Sequence, residues 1–368
     1  MNKQRIYLSP PNFSTVELTE VKKVFNSGWI APVGPAIDEF EQRLADNYKD
    51  KTVLALNSGT SALHLAIILA GVEAGDEVLV SSFTFAACAN AILYERAIPV
   101  FIDSEEKSWN LDPEILEEYL TDSIKRPKAL IVTHLYGMPA DIQRIVSIAN
   151  RFGVKVIEDA AESLGAKFDN VHVGGFGDYG IISFNGNKVI TTSGGGALIC
   201  NKEDWGRAKY LATQANSDSF GYNHKEAGYN YRMSNVLAGI GLAQLTKLKF
   251  FIERKRFLYE EYKNHLGTYF DFLDEPNNRF SNRWLTTALL KDEEKSINKL
   301  IQYLDSNNIE SRQLWKPLHM HEAYSQAPFF GKGTSEQIFT KGFCLPSGTG
   351  LTTSQQEFII EKIKNWFA

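Results

Sequence analysis

The chain has 368 residues, 43% of them apolar and 23% charged, with a formal net charge of −5 and a pI near 5.9. That length exceeds what one core usually fills and predicts a large domain plus a smaller one, while the acidic balance argues against a nucleic-acid binder, whose binding face is basic. No run approaches the roughly 18 uncharged apolar residues of a membrane span. Cys88, Cys200 and Cys344 form no CxxC pair, which predicts a reduced, cytoplasmic protein without a disulfide framework or a metal site. Residues 1–11 carry positive charge but no apolar run before their prolines, so no signal peptide is expected.

Between residues 13 and 49, apolar side chains fall mostly two to four apart, at Val16, Leu18, Val21, Val24 and Phe25 and then at Ile37, Phe40, Leu44 and Tyr48. Two amphipathic helices separated by a turn over 28–35 fit that spacing. From 53 to 200, short β-rich runs alternate with helical stretches. Strands are predicted over 77–80, 99–102, 129–133, 154–157 and 179–183, with helices over 60–70 and 141–152 among them. Near-continuous apolar strands separated by helices predict a mostly parallel sheet covered on both faces. A long charged helix over 247–265 then leads into a strand over 283–290 and a helix over 297–307. The expected division is a large domain over 1–245, with its N-terminal helical segment, and a linking helix plus small α+β domain over 246–368. No internal repeat or low-complexity segment interrupts this order.

Chemistry concentrates at the strand ends. Lys188 sits in a short polar loop between a β-branched strand and the triplet Gly194-Gly195-Gly196. An amine held there, partly desolvated, suits a nucleophile for a cofactor aldehyde. The run Val156-Ile157-Glu158-Asp159 ends an apolar strand in two carboxylates, with Glu162 about one helical turn later, and strand ends are where open α/β sheets keep their sites. Asn57-Ser58-Gly59-Thr60 passes from strand to helix, and its free N–H groups and hydroxyls make a phosphate seat or an ordinary helix cap. Phe85 can stack on a flat ring or belong to the core. Asp159 can be a turn residue, or can face a pyridine nitrogen and keep it protonated, which makes the ring an electron sink.

These blocks, in this order, resemble the DegT/DnrJ/EryC1/StrS family of pyridoxal-phosphate sugar aminotransferases. The likeness is carried by Leu56-Asn57-Ser58-Gly59-Thr60-Ser61-Ala62-Leu63, Ser82-Phe83-Thr84-Phe85, Thr133-His134-Leu135-Tyr136-Gly137, Glu158-Asp159-Ala160-Ala161-Glu162, Ser183-Phe184-Asn185-Gly186-Asn187-Lys188 and Gly228-Tyr229-Asn230-Tyr231-Arg232-Met233. It extends over most of 7–350. The resemblance implies the type I, aspartate aminotransferase-like fold. Lys188 would hold pyridoxal 5′-phosphate covalently and move protons at the substrate carbon. Asp159 would pair with the pyridine nitrogen, Phe85 stack on the ring, and Gly59, Thr60 and Ser183 hold the phosphate. Asn230 would reach that phosphate in the partner subunit of a homodimer. Many relatives carry histidine at the position of Asn185 and glutamine at that of Glu162. Glu162 therefore adds a carboxylate close to the ring hydroxyl.

Within the family, the chain is most similar to enzymes that aminate C4 of UDP-linked 4-keto-6-deoxy-N-acetylglucosamine for bacillosamine synthesis. Leu8-Ser9-Pro10-Pro11, the 185–196 loop, Ser281-Asn282-Arg283-Trp284-Leu285, residues 310–319 and Cys344-Leu345-Pro346-Ser347-Gly348-Thr349 carry that narrower likeness. It implies L-glutamate as amino donor. A diphosphate needs cationic donors. Arg312 and Lys316, around Trp315 and His319, are the candidates, with Arg232 and Arg283 behind them. The same cluster also reads as a turn that packs the domains. The polar segment over 212–225 could reach the cleft of the other subunit. Other readings are an aminotransferase for a GDP- or dTDP-linked 4-keto sugar, a sugar dehydratase (argued against by lysine where such enzymes carry histidine) and a non-catalytic sensor or scaffold.

Overall fold

Apolar runs that alternate with helices have one way to bury both faces, and the chain takes it. The structure, a computed structural model, describes residues 5–217 and 221–368. In chain order, helices α1 (Thr15–Ser27) and α2 (Pro35–Ala45) lead into strand β1 (Lys51–Leu56) and α3 (Gly59–Leu69). The alternation continues through β2 (Glu77–Ser81), α4 (Ala87–Tyr94), β3 (Ile98–Ile102), α5 (Pro113–Asp122), β4 (Ala129–Thr133), α6 (Ile142–Arg151) and β5 (Lys155–Asp159). The short β6 (Lys167–Phe168) and β7 (Val171–His172) precede β8 (Tyr179–Ser183), β9 (Gly196–Asn201), α7 (Lys202–Ala212) and α8 (Asn235–Leu245). The last third comprises α9 (Leu248–Leu266), β10 (Phe270–Phe272), β11 (Arg279–Phe280), β12 (Thr286–Leu290), α10 (Ile297–Ser306), β13 (Arg312–Gln313), β14 (Phe329–Phe330), α11 (Thr334–Lys341), β15 (Gly342–Leu345) and α12 (Thr353–Phe367).

The large sheet has eight strands in the order β1-β9-β8-β5-β4-β2-β3-β14. From β8 to β14 every pair is parallel, whereas β9 runs antiparallel to both β1 and β8. The expected mostly parallel sheet is thus present. β9 follows β8 through the Lys188 loop with no crossover helix between them, and returns antiparallel. One face buries Leu54, Leu56, Val80 and Ile131 against Leu65 of α3 and Ile92 of α4. The other buries Leu79, Val100, Leu130, Val132 and Val156 with Leu116 and Leu120 of α5 and Ile142, Ile145 and Ile148 of α6.

A second sheet, β10-β12-β15-β13, is antiparallel throughout. It packs Phe270, Ala288, Phe343 and Leu345 against Leu258 and Tyr262 of α9, Leu300 and Leu304 of α10, and Ile359 and Ile363 of α12. Two segments cross the expected division at 245. Ile6 belongs to this small core and pairs with Ile309, and β14 leaves the C-terminal unit to close the edge of the large sheet beside β3. Asp103, fully buried after β3, receives the backbone N–H groups of Lys332, Gly333, Thr334 and Ser335 and fixes that excursion. The predicted strand over 283–290 starts later, at Thr286, because Arg283 takes a positive φ of 52°. No helix among the described residues is long and apolar enough to cross a membrane.

Candidate active site

The ends of β1, β5 and β8, the segment just after β2 and the glycine-rich approach to β9 all open onto one cavity of about 850 Å³ between the two sheets. Its lining includes Asn57, Ser58, Gly59 and Thr60 after β1, Phe85 after β2, Asp159 and Glu162 at and after β5, and Ser183 and Lys188 at and after β8. Residues far apart in the chain converge because parallel strands bring their carboxyl ends to one rim.

Ser58 caps α3 by accepting the Ser61 N–H at 3.0 Å. The amides of Gly59 and Thr60, in the helix's first turn, have no acceptor within it and lie on the cavity wall. Two glycines make the approach possible. A Cβ on Gly196 would stand 2.4 Å from the amide nitrogen of Gly59, and one on Gly59 would stand 3.2 Å from Cβ of Ser183. An anion-binding seat and an ordinary cap are therefore the same structure here. Phe85 is 58% exposed, so it belongs to the cavity rim and not to the core.

The carboxylate of Asp159 is buried and held on both oxygens: Oδ1 accepts Ala161 N–H at 3.0 Å and Oδ2 accepts the Cys88 thiol at 3.0 Å. Lys188 reaches back from its loop, with Nζ 3.6 Å from Oε1 of Glu162 and 4.0 Å from the ring centroid of Trp284. Glu162 also accepts the Tyr136 N–H at 2.6 Å. Burial pushes the Glu162 carboxyl up to about 8, against the opposing pull of the Lys188 charge. It therefore keeps its proton over much of the neutral range. Burial also raises the thiols of Cys88, beside the Asp159 charge, and of Cys344 on the cavity wall.

The predicted substrate residues separate. Arg312 and Trp315 line the cavity. The Arg312 side chain is largely exposed and held by Glu310 at 2.8 Å, whose other oxygen accepts Leu8 N–H at 2.9 Å. Trp315 packs on Phe85 and Tyr136. The other four positions lie outside the cavity lining. Arg232 is buried against Glu41 and the carbonyl of Ala55, where it ties α2 to β1. Arg283 is buried over the Tyr259 ring at 3.7 Å and bonds to the carbonyl of Leu273. His319 is stacked on Phe329, with its ring nitrogens against Ser82 and Glu336. Lys316 is exposed outside the cavity lining. Asn230 is exposed, and its carbonyl accepts Nδ2 of Asn57 at 3.1 Å. In the 212–225 segment, residues 218–220 lie outside the described residues, and bridges join Thr213 to Asn230 and Asn216 to His224.

Some cavity residues escaped the sequence reading. Trp284, Tyr136 behind it, Glu310 and the strap over 7–11 had no motif chemistry of their own. The signals available were Trp284 and Tyr136 inside quoted motif blocks and the paired prolines of the strap.

Pyridoxal phosphate fits this set of groups. Gly59, Thr60 and Ser183 offer amides and a hydroxyl of the kind that suit an anion, exposed Phe85 offers a flat face, Asp159 presents a carboxylate without a cationic partner among its hydrogen bonds, and Lys188 presents an amine. The comparisons with known proteins agree. The family profile described as the DegT/DnrJ/EryC1/StrS aminotransferase family matches residues 12–364. EpsN of Bacillus subtilis (strain 168), provisionally named a pyridoxal phosphate-dependent aminotransferase, is 46% identical, covering 99% of this chain and 96% of that protein. GDP-perosamine synthase of Escherichia coli O157:H7 is 34% identical over 97% of each chain. A structure of a DegT DnrJ EryC1 StrS aminotransferase from Brucella abortus superimposes with a TM-score of 0.88 at 28% identity, over 96% of this chain and 95% of that one. The chain belongs to the DegT/DnrJ/EryC1/StrS aminotransferase family and is a pyridoxal-phosphate-dependent enzyme of the type I fold.

Proposed function

We propose that this enzyme transfers the amino group of L-glutamate to C4 of a nucleotide-linked 4-keto-6-deoxy sugar. The preferred acceptor is UDP-2-acetamido-2,6-dideoxy-α-D-xylo-hexos-4-ulose, an intermediate of bacillosamine synthesis. The observation that carries the reading is Lys188 Nζ reaching into a cavity of about 850 Å³ whose lining also holds Asp159 and Arg312. That volume far exceeds what glutamate needs and suits a ligand of nucleotide-sugar size. When bound, pyridoxal phosphate supplies the electron sink that makes a C–H bond beside an amine acidic.

In this reading the chain's own groups do the rest. Gly59, Thr60 and Ser183 would hold the phosphate, Asp159 would keep the ring nitrogen protonated, and Phe85 would cover the ring. Lys188 Nζ would hold the cofactor in the resting enzyme, and its amine would move the proton at the donor carbon and at the sugar C4. Glu162 would serve the side of the cofactor that carries the ring hydroxyl, and Arg312 would meet the diphosphate.

The working unit is a homodimer in the cytoplasm. Exposed Phe13, Leu18, Phe25, Trp29, Ile30 and Val33 give α1 and its following turn an apolar outer face of the kind that marks an interface. Asn230 serves the phosphate of the partner subunit. A GDP-linked acceptor is the second reading, favoured by the 34% identity to GDP-perosamine synthase.

Turnover with UDP-, GDP- and dTDP-linked 4-keto sugars, followed by NMR of the products, separates these readings. The UDP substrate is expected to give the highest kcat/KM. Lys188→Ala should abolish turnover and, after borohydride reduction, show no cofactor adduct by intact mass. An active Lys188→Ala enzyme would overturn the assignment.

A further inference from the structure

The lysine of such a site must leave the cofactor during each turnover and return to it. A released lysine has four rotatable side-chain bonds, and letting it wander would forfeit the effective concentration that a positioned amine provides. In this structure Nζ of Lys188 lies 4.0 Å from the centroid of the Trp284 ring and 3.6 Å from Oε1 of Glu162. Both partners are buried, at 2% and 3% exposure, where a cation gains most from an aromatic face.

Trp284 is also fastened from several directions. Its N–H donates to Oδ1 of Asn282 at 2.9 Å, and its carbonyl accepts Nζ of the fully buried Lys255 at 2.8 Å. Its ring stacks on Tyr136 with planes 16° apart. Its indole N–H donates to the carbonyl of Asn187 at 2.7 Å, one residue before Lys188. The ring is therefore hydrogen-bonded to the loop that carries the lysine.

We propose that Trp284 is a positioning residue whose indole face, together with Glu162, forms the berth for the free ammonium of Lys188 between its two attachments. This rests on Lys188 being the cofactor-binding lysine. The other titratable groups that face it across the cavity are Asp159, Cys344 and, toward the mouth, Tyr7, Glu310 and Arg312. A change confined to the electron density of the ring leaves all of them in place.

The test uses the full chain stripped of cofactor. Lys188 is labelled briefly with acetic anhydride at a series of pH values and quantified by peptide mass spectrometry. Trp284 is replaced site-specifically by mono- and trifluorinated tryptophans, and by phenylalanine and leucine. Losing the ring's attraction for the cation should speed labelling of Lys188 at pH 7 by roughly three- to tenfold in Trp284→Leu. Trp284→Phe should lie between, with a graded increase along the fluorinated series. If the buried Trp284→Leu fails to fold, the fluorinated series, which preserves shape, decides alone. Labelling independent of fluorination would overturn the berth and leave Trp284 as packing. Covalent cofactor in Lys188→Ala would instead overturn the assignment of Lys188, so the two failures are distinguishable.

Discussion

Cys88 Sγ lies 3.0 Å from Oδ2 of Asp159 and donates its proton there, while the other oxygen takes a backbone N–H. Both donors are neutral. They fix the plane of the carboxylate without cancelling its charge, which leaves that charge available to a protonated ring nitrogen. Asp159→Asn keeps the shape and removes the charge. It is expected to slow both half-reactions by about a hundredfold or more, with a much smaller change in thermal stability. Stopped-flow absorbance and thermal unfolding on the same preparation check this. Normal kinetics would return Asp159 to the role of a turn residue.

Gly196 tests the phosphate seat. A Cβ there meets the amide nitrogen of Gly59 at 2.4 Å and the carbonyl carbon of Ser58 at 2.4 Å, both backbone atoms that must move. Gly196→Ala should weaken binding of pyridoxal phosphate about tenfold or more, the cost of losing one charge-assisted hydrogen bond. Gly194→Ala, with nothing within 4 Å of the new Cβ, should lose much less. Absorbance titration of each variant gives the comparison.

Glu162 predicts a pH dependence of stability. Its carboxyl titrates near 8 in the folded chain because of burial, against an ordinary 4.5. Between those values the folded state holds a proton that the unfolded state has lost. The group's contribution therefore falls as pH rises from 4.5 to 8, by up to about 1.4 kcal/mol per pH unit. Below 4.5 and above 8 it is flat. Glu162→Gln, which cannot titrate, should abolish this slope, so the variant gains on the parent as pH rises across that window. Denaturant unfolding at pH 5, 6, 7 and 8 measures it, and parallel curves would sink the expectation.

Arg312 is held by Glu310, itself bonded to the backbone of Leu8, so the guanidinium arrives at the cavity already oriented. Arg312→Ala should raise KM for the nucleotide sugar about ten- to a hundredfold. The glutamate half-reaction, which involves no diphosphate, should stay nearly intact. A parallel fall in both halves would make Arg312 a packing residue.

The strand ends were legible because chemistry punctuates them. Asp159, Ser183 and Lys188 each interrupt or follow an apolar run, and parallel strands deliver such points to a common rim. The arginines were not, because burial of a guanidinium depends on partners remote in sequence. Arg232 finds Glu41 191 positions away, and Arg283 is turned from the cavity by a positive φ and captured by Tyr259. Trp284 falls within the strand predicted over 283–290 and carries no chemical signal of its own. Its meaning comes from the loop it touches, and no periodicity reports that. The return of 329–330 to the large sheet was equally hidden, since two phenylalanines are too short a run to read as a strand.

That return governs how the molecule can move. The chain leaves the small sheet after β13, adds β14 to the far edge of the large one, and comes back as β15. Ile6 and the strap behind it connect the small core to the cavity from the opposite end of the sequence. The small unit is therefore tied to the large one at three points, by α9, by β14 and by the N-terminal strap, and a change in the width of the cavity has to be accommodated at all of them.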